Sequence, residues 1–169
     1  AFYGHPVQRS YFDSCSDGGR EALMEAQRFP EDFDGILAGA PANYWTHLLT
    51  SAIGGAQTLY SNPDAYFSDI KLPAIHAAVL SACDAADGVK DGVINDPPRC
   101  HFDPSVLLCK GRETRTCLTA PQVAALKTLY QGAKDTRGRQ IFPGLVPGAE
   151  EGQGGWGPWI VGQAPGQSA

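Results

Sequence analysis

The first forty residues alternate between short apolar runs and a helical pattern. Residues 10–12 form a strand-like run, and a turn of small residues follows it. Residues 20–29 then carry apolar side chains on one side of a predicted helix, which Pro30 ends. The apolar run 35–40 lies between turn residues, as a buried parallel strand does. The pattern therefore predicts a strand–turn–helix–strand, or βαβ, unit.

The character of the chain changes near residue 44. Residues 44–71 carry aromatic and small polar residues without a clear period. A helix is predicted over 72–82, where apolar residues recur on one stripe and a proline lies in the first turn. A second helix is predicted over 120–131, with Thr119 and Gln122 as a capping box. The segment between the two helices is loop-like and acidic.

Composition narrows the class of protein. The 169 residues include 43% hydrophobic residues, an ordinary fraction for a globular protein, whereas 20 Gly and 13 Pro indicate many turns. A formal charge of −5 argues against a nucleic-acid or anionic-membrane surface. No apolar run approaches the roughly 18 residues that span a bilayer. We therefore expect no nucleic-acid partner and no membrane partner.

The five cysteines favour an oxidising compartment. Four of them lie within a loop-rich stretch, as the close pairs Cys83 with Cys100 and Cys109 with Cys117. Such density indicates disulfides and a secreted or periplasmic protein. A zinc site is the weaker alternative, because no Cys-x-x-Cys occurs and His101 is the only histidine nearby.

Residues 14–18 occupy the place of a Gly-x-Ser-x-Gly nucleophile elbow. That chemistry needs a serine on a sharp turn from strand to helix, with small neighbours on both sides. Ser16 is the candidate nucleophile, and the backbone N–H of Asp17 is a candidate oxyanion donor at the start of the helix. The alternative is a glycine-rich turn with an ordinary serine.

The segments 11–20, 23–35 and 38–42 closely resemble the tannase and feruloyl esterase family, to which the bacterial hydrolase of mono(2-hydroxyethyl) terephthalate also belongs. The resemblance spans nearly the whole chain and weakens in 44–71. Ser14 stands where the family usually has glycine. The implied fold class is α/β. A partial α/β-hydrolase core with the nucleophile elbow would occupy 1–43, and part of an inserted lid domain, stabilised by disulfides and calcium, would occupy 44–169.

The resemblance also implies which cysteines form disulfides. Together with the short spacing, it implies the disulfides Cys83–Cys100 and Cys109–Cys117. In the family, the cysteine before the nucleophile bridges to a cysteine adjacent to the catalytic histidine. Cys15 is therefore expected to pair with a cysteine outside this chain, and a buried free thiol is the alternative within it.

The histidines do not supply an obvious general base. Hydrolases of this fold place their triad in the order Ser, acid, His. Downstream of Ser16, His76 is predicted to be a partly buried helix residue, His47 a loop residue, and His101 the weak catalytic candidate. We expect the acid, the base and the second oxyanion donor to lie beyond this chain. The chain is then an internal piece of a longer protein, and is inactive alone.

The acidic loop after the first predicted lid helix suits a hard cation. It has three carboxylates within eight residues, and glycines that let carbonyl groups turn inward. An EF-hand is excluded, because the twelfth position lacks the bidentate glutamate. The resemblance implies a structural calcium held by these side chains and by two carbonyls: Asp84, Asp87, Asp91, Val89 and Val93. A solvated acidic turn is the alternative.

These observations favour a carboxylic ester hydrolase acting on esters of aromatic acids, of the hydroxycinnamic or gallic type, through an acyl-enzyme on Ser16. The expected partner is a small aromatic ester, and the expected cofactor is structural calcium. Trp156 and Trp159 are expected to pack in the lid rather than form a substrate wall. The alternative function is a non-catalytic, calcium-stabilised binding module with a vestigial elbow serine.

Overall fold

The computed structural model describes residue 2 and residues 4–166. The chain forms two compact units, residues 1–49 and 50–169. They are joined inside one helix, a few residues after the change of composition near residue 44. Within the described residues, no helix has the length and apolar character that crossing a membrane requires.

The first unit is the predicted βαβ unit. Strand β1 (Tyr11–Cys15) and strand β2 (Gly35–Gly39) are parallel neighbours, and helix α1 (Asp17–Arg28) connects them. Ala22 of α1 is fully buried because both strands pack against this helix. The opposite side of the sheet is open, and Leu37 is 60% exposed.

The predicted bounds of this unit shift by a few residues. β1 continues to Cys15 rather than ending at residue 12, and α1 begins at Asp17 rather than at residue 20. The reason is that a single residue, Ser16, makes the whole turn between strand and helix. The small residues that looked like a loop are the end of the strand and the first turn of the helix.

Helix α2 (Trp45–Tyr60) lies in the segment 44–71, where the sequence shows no clear period and predicts no element. It has no Asp, Glu, Lys or Arg side chain and contains two glycines, so its sequence lacks the charged stripe that is typical of a surface helix. Leu59 is its buried residue, and a Cβ on Gly55 would lie 3.5 Å from Leu129.

The second unit is built on two helices close to their predicted bounds. Helix α3 (Leu72–Cys83) buries the stripe that the sequence indicates. Helix α4 (Ala120–Gln131) begins with the predicted capping box of Thr119 and Gln122 and ends at Gly132. Tertiary contacts reinforce this cap, because the buried Gln122 amide donates to the Tyr66 carbonyl at 3.0 Å.

A single hydrophobic cluster fills this unit. Leu59, Phe67, Ile75 and Leu126 are among its almost completely buried members. The expectation for the two lid tryptophans is half right. Trp156 is 4% exposed and belongs to the cluster, but Trp159 is 61% exposed, so its expected packing role is wrong. Trp159 lies in a short π-helical turn (Gly157–Val161) that turns its neighbour Val161 inward instead.

Two disulfides cross-link the loops of the second unit. Cys83 pairs with Cys100 at a Cα–Cα distance of 5.5 Å, and Cys109 pairs with Cys117 at 5.0 Å. Both distances lie within the usual range of about 4.4–6.8 Å. These are the pairings that the family resemblance implies.

Lys71 anchors the loop closed by the second disulfide. Its ammonium group, only 8% exposed, donates to the carbonyl oxygens of Cys117 (2.8 Å) and Thr114 and pairs with Glu113 at 2.9 Å. The hydrogen bonds from Lys71 and then from Gln122 hold the pKa of Glu113 below its usual value. A buried cation needs such partners, so this loop and Lys71 stabilise each other.

Glu150 is the centre of a buried polar network that the sequence did not reveal. The residue is completely buried, and its carboxylate accepts hydrogen bonds from the Tyr130 hydroxyl at 2.7 Å and the Gly148 N–H at 2.9 Å. Its other oxygen lies 3.0 Å from His76 Nδ1. Burial, followed by the nearby Glu150 charge, raises the pKa of the Tyr130 hydroxyl. His76 is thus a partly buried helix residue, as expected.

Candidate active site

Ser16 makes the turn between β1 and α1 in a conformation that is costly for any residue except glycine. Its φ is 62° and its ψ is −117°. Backbone strain of this kind costs on the order of 1–3 kcal/mol and occurs preferentially at functional sites. The Ser16 side chain is exposed at this turn. This is the geometry of a nucleophile elbow, in which the strained turn presents the serine hydroxyl to a substrate.

Hydrogen bonds hold the strained turn from two sides. The Ser16 N–H donates to the carbonyl oxygen of Gly39, at the end of β2, at 3.0 Å. The Ser16 carbonyl accepts from Arg20 N–H (3.1 Å) in α1 and from Ala42 N–H (2.9 Å) in the loop after β2. Ser16 is therefore fixed by both its own helix and the neighbouring strand, which provides the rigidity that a catalytic group needs.

Two glycines allow the elbow to close. A Cβ on Gly19 would overlap the Gly39 carbonyl oxygen and lie 2.9 Å from Pro41 Cα. A Cβ on Gly18 would overlap the hydroxyl of Ser14 and lie 2.8 Å from its Cβ. Ser14 therefore fits here because position 18 has no side chain.

Asp17 begins α1 directly after Ser16. The first N–H groups of a helix have no partner within the helix, and they lie at the positive end of its dipole. The Asp17 carboxylate binds the guanidinium of Arg20 at 2.8 Å. That guanidinium also lies over the ring of Trp45, 5.7 Å from its centroid. Sequence reasoning missed Arg20 and Trp45, although the three-residue spacing of Asp17 and Arg20 on a helix is a recognisable signal.

Within the described residues, no histidine is hydrogen-bonded to the Ser16 hydroxyl. His47 was expected in a loop but lies in α2. The centroid of its ring is 4.8 Å from the centroid of the Tyr44 ring. His101 is exposed and lines an open groove of about 610 Å³ in the second unit.

Cys15 is the exposed free cysteine of the structure and lies at the end of β1. This corrects the alternative of a buried thiol. A Cβ on Gly39 of the neighbouring strand would come 3.5 Å from its sulfur. The pairing of Cys15 with a cysteine outside this chain stays a prediction.

Backbone N–H groups of the predicted calcium loop donate hydrogen bonds to the carboxylates of the same loop. Asp84 is buried, and one of its oxygens accepts from the N–H groups of Asp91 (3.3 Å) and Gly92 (3.0 Å). Asp87 accepts from Val89 N–H at 2.9 Å, and Asp91 accepts from Val93 N–H at 3.1 Å.

The chemistry of this loop fits a hard cation, because its donors are carboxylate and carbonyl oxygens. Among the described residues, however, no group of three or more acidic, histidine or cysteine side chains is gathered closely enough to hold a metal ion. A calcium site here therefore needs a rearrangement of the carboxylates or ligands from carbonyl oxygens. It stays a prediction.

The whole chain matches a known family of enzymes. The sequence model of the family described as tannase and feruloyl esterase matches residues 1–169. The chain is 49% identical over 156 residues to a protein of Xanthomonas campestris pv. campestris named as an uncharacterized esterase, covering 92% of this chain and 27% of that protein. It is 40% identical over 152 residues to a protein of Arthroderma benhamiae named probable feruloyl esterase, covering 88% and 28%.

Solved structures agree with the sequence matches. Feruloyl esterase B from Aspergillus oryzae superposes with a TM-score of 0.80 at 31% identity, covering 96% of this chain and 33% of that structure. Tannin acyl hydrolase from Aspergillus niger superposes with a TM-score of 0.69 at 28% identity, covering 86% and 28%. The chain thus spans less than a third of the length of these curated relatives. It belongs to the tannase and feruloyl esterase family.

Proposed function

We propose that this chain carries the nucleophile of a carboxylic ester hydrolase, and that Ser16 forms the acyl-enzyme. The observation that carries the proposal is the φ of 62° at Ser16, an exposed serine held between the end of a parallel strand and the start of a helix. Backbone strain of this kind clusters at functional sites. The names of the relatives, which are esterases, feruloyl esterases and a tannin acyl hydrolase, support the reaction class.

The reaction proceeds in two steps. Ser16 Oγ forms a bond with the ester carbonyl carbon while its proton passes to a general base, and the bond to the alcohol oxygen breaks as the alcohol leaves with a proton. Water then attacks the acyl-enzyme, releases the acid and restores the serine. The Asp17 N–H, at the start of α1, stabilises the oxygen that becomes negative in each step.

The base, its acidic partner and the second oxyanion donor are proposed to lie in sequence outside this chain. Among the described residues, no histidine is hydrogen-bonded to Ser16 Oγ, and the chain corresponds to 27% and 28% of the two relatives named above. Cys15 is proposed to join this outside sequence through a disulfide. The isolated chain is then expected to hydrolyse no ester at an enzymatic rate.

The two units are proposed to be part of an α/β-hydrolase core and part of an inserted lid. Tyr11 (68% exposed) and Leu37 (60% exposed) lie on the open face of the β1–β2 sheet, which supports a further layer packed on that face. A two-stranded sheet alone is also marginally stable, which supports further strands. For the second unit, the two disulfides support a secreted or periplasmic protein. We further propose that a structural calcium binds Asp84, Asp87 and Asp91 with the carbonyls of Val89 and Val93.

The substrate class is proposed to be esters of aromatic acids, as the names of the feruloyl esterase and tannin acyl hydrolase relatives indicate. Rapid mixing of the longer parent protein with methyl ferulate tests this proposal. We expect a burst of methanol equal to the enzyme concentration, followed by slower turnover.

The Ser16→Ala variant is expected to lose the burst and to turn over on the order of 10⁵-fold more slowly. Ser81→Ala, an exposed serine of α3, is the matched control and is expected to keep both. A burst that survives in the Ser16→Ala variant contradicts the proposal.

A further inference from the structure

The residue that follows the nucleophile carries a negative charge of its own. Asp17 supplies the proposed oxyanion donor through its backbone N–H, and the same residue bears a carboxylate that is 58% exposed. A negative charge on the residue that donates to an oxygen becoming negative opposes the reaction, because like charges repel. Neutralising the Asp17 carboxylate therefore favours the reaction.

Arg20 provides that neutralisation within one turn of α1. Its Nε lies 2.8 Å from Asp17 Oδ1, and its side chain is 34% exposed. The hydrogen bond from Arg20 to Asp17, followed by the charge attraction between them, raises the pKa of the guanidinium. The pair as a whole has no net charge.

Trp45, the first residue of α2, contacts this pair from outside α1. The guanidinium lies over its indole ring, in the arrangement of a cation–π contact. The backbone that leads to Trp45 is itself strained, since Tyr44 has a φ of 54°. The same loop is tied to the elbow by the bond from Ala42 N–H to the Ser16 carbonyl. The loop after β2 thus bonds the nucleophile's backbone and, three residues further on, covers Arg20.

We propose that Arg20 is a positioning residue that neutralises and holds the Asp17 carboxylate beside the oxyanion site, with Trp45 keeping the guanidinium in place. This inference rests on the proposed function of Ser16. An exposed pair three residues apart on a helix usually contributes little to stability. What distinguishes this pair is its position next to Ser16 and the ring that covers the guanidinium. Its effect therefore falls on the rate of acylation rather than on folding.

A double-mutant cycle in the longer parent protein tests the inference. The measured quantities are the acylation rate constant and the substrate dissociation constant, both from the concentration dependence of the methyl ferulate burst, together with the melting temperature. Arg20→Gln leaves the Asp17 charge uncompensated, and we expect acylation to slow about tenfold with little change in the substrate dissociation constant. Asp17→Asn combined with Arg20→Gln removes the charge itself, so the rate is expected to return to within about threefold of wild type.

Three further measurements separate charge compensation from helix stability. Arg20→Lys keeps the charge without the planar fork, so we expect partial activity. Added salt is expected to restore part of the Arg20→Gln rate, because it screens exposed charges. Arg28→Gln, in the last turn of the same helix, is the control and is expected to acylate normally.

The inference is overturned if Arg20→Gln acylates at the wild-type rate. It is also overturned if the slow rate persists when Asp17→Asn is added, because a structural role of Arg20 does not depend on the Asp17 charge. Should Arg20→Gln fail to fold, the Arg20→Lys variant with and without Asp17→Asn decides the question by the same criterion. A loss of acylation only in Ser16→Ala leaves the proposed function intact and refutes the role of Arg20.

Discussion

Gly19→Ala should impair the elbow without removing any polar group. Gly19 is buried in the first turn of α1, and an added Cβ would overlap the Gly39 carbonyl oxygen and lie 2.9 Å from Pro41 Cα. Carbon atoms rest at about 3.5–4.0 Å, so the helix start and the end of β2 have to separate by about 1 Å. Overpacking of this kind costs about 1–3 kcal/mol, offset by the better helix propensity of alanine, up to about 1 kcal/mol.

The larger effect of Gly19→Ala is expected on reactivity. The Gly39 carbonyl at the end of β2 also accepts a hydrogen bond from the Ser16 N–H, so a shift there moves Ser16, the proposed nucleophile. A displacement of about 1 Å lowers a reaction rate about 100-fold. We therefore expect the rate of Ser16 labelling by a fluorophosphonate to fall by that factor in the parent protein.

Gly111→Ala is the matched control for this substitution. A Cβ at Gly111 meets no atom within 4 Å, and the backbone there is outside the left-handed region. Its labelling rate should equal that of the wild type. Labelling of the Gly19→Ala variant at the wild-type rate would refute the close packing that the elbow geometry requires.

Gly18→Ala should slow labelling because its Cβ overlaps the Ser14 hydroxyl, and adding Ser14→Gly should restore the rate; failure of the double variant to recover contradicts this packing. Calcium at about 100 times its dissociation constant should raise the melting temperature of the second unit by several degrees in calorimetry. Asp84→Asn should abolish this increase, and an unchanged melting temperature of the wild type counts against the site. Lys71→Met leaves two carbonyl oxygens and Glu113 without their buried donor, so we expect a loss of about 3 kcal/mol in urea unfolding; a loss below about 1 kcal/mol would show that water replaces the ammonium group.

The features predicted well from the sequence are those that local chemistry determines. Helix α4 has its bounds as expected because Thr119 and Gln122 cap its start and Gly132 follows its end, all within one short segment. The βαβ order followed from two apolar runs around a helical pattern. The position of the candidate nucleophile followed from small residues between a strand and a helix, although their exact division between the elements did not.

The features that sequence reasoning missed depend on contacts between distant segments. Helix α2 has no charged stripe, and a Cβ on its Gly55 would lie 3.5 Å from Leu129 of α4. The sequence around Glu150 gives no sign of burial, yet Glu150 is completely buried, and Tyr130 of α4 and His76 of α3 bind its carboxylate. Pairwise contacts of this type have no periodic trace along the chain, and only the folded structure reveals them.

Identification of the residue that a fluorophosphonate modifies tests the central claim most directly. The parent protein is labelled, digested and analysed by mass spectrometry. We expect one stoichiometric adduct on the peptide that contains Ser16, formed in parallel with loss of methyl ferulate hydrolysis and absent from the Ser16→Ala variant. The isolated chain is expected to form no adduct at an enzymatic rate. Full loss of hydrolysis with the adduct on a different serine, or robust turnover by the isolated chain that His101→Ala abolishes, would contradict the account.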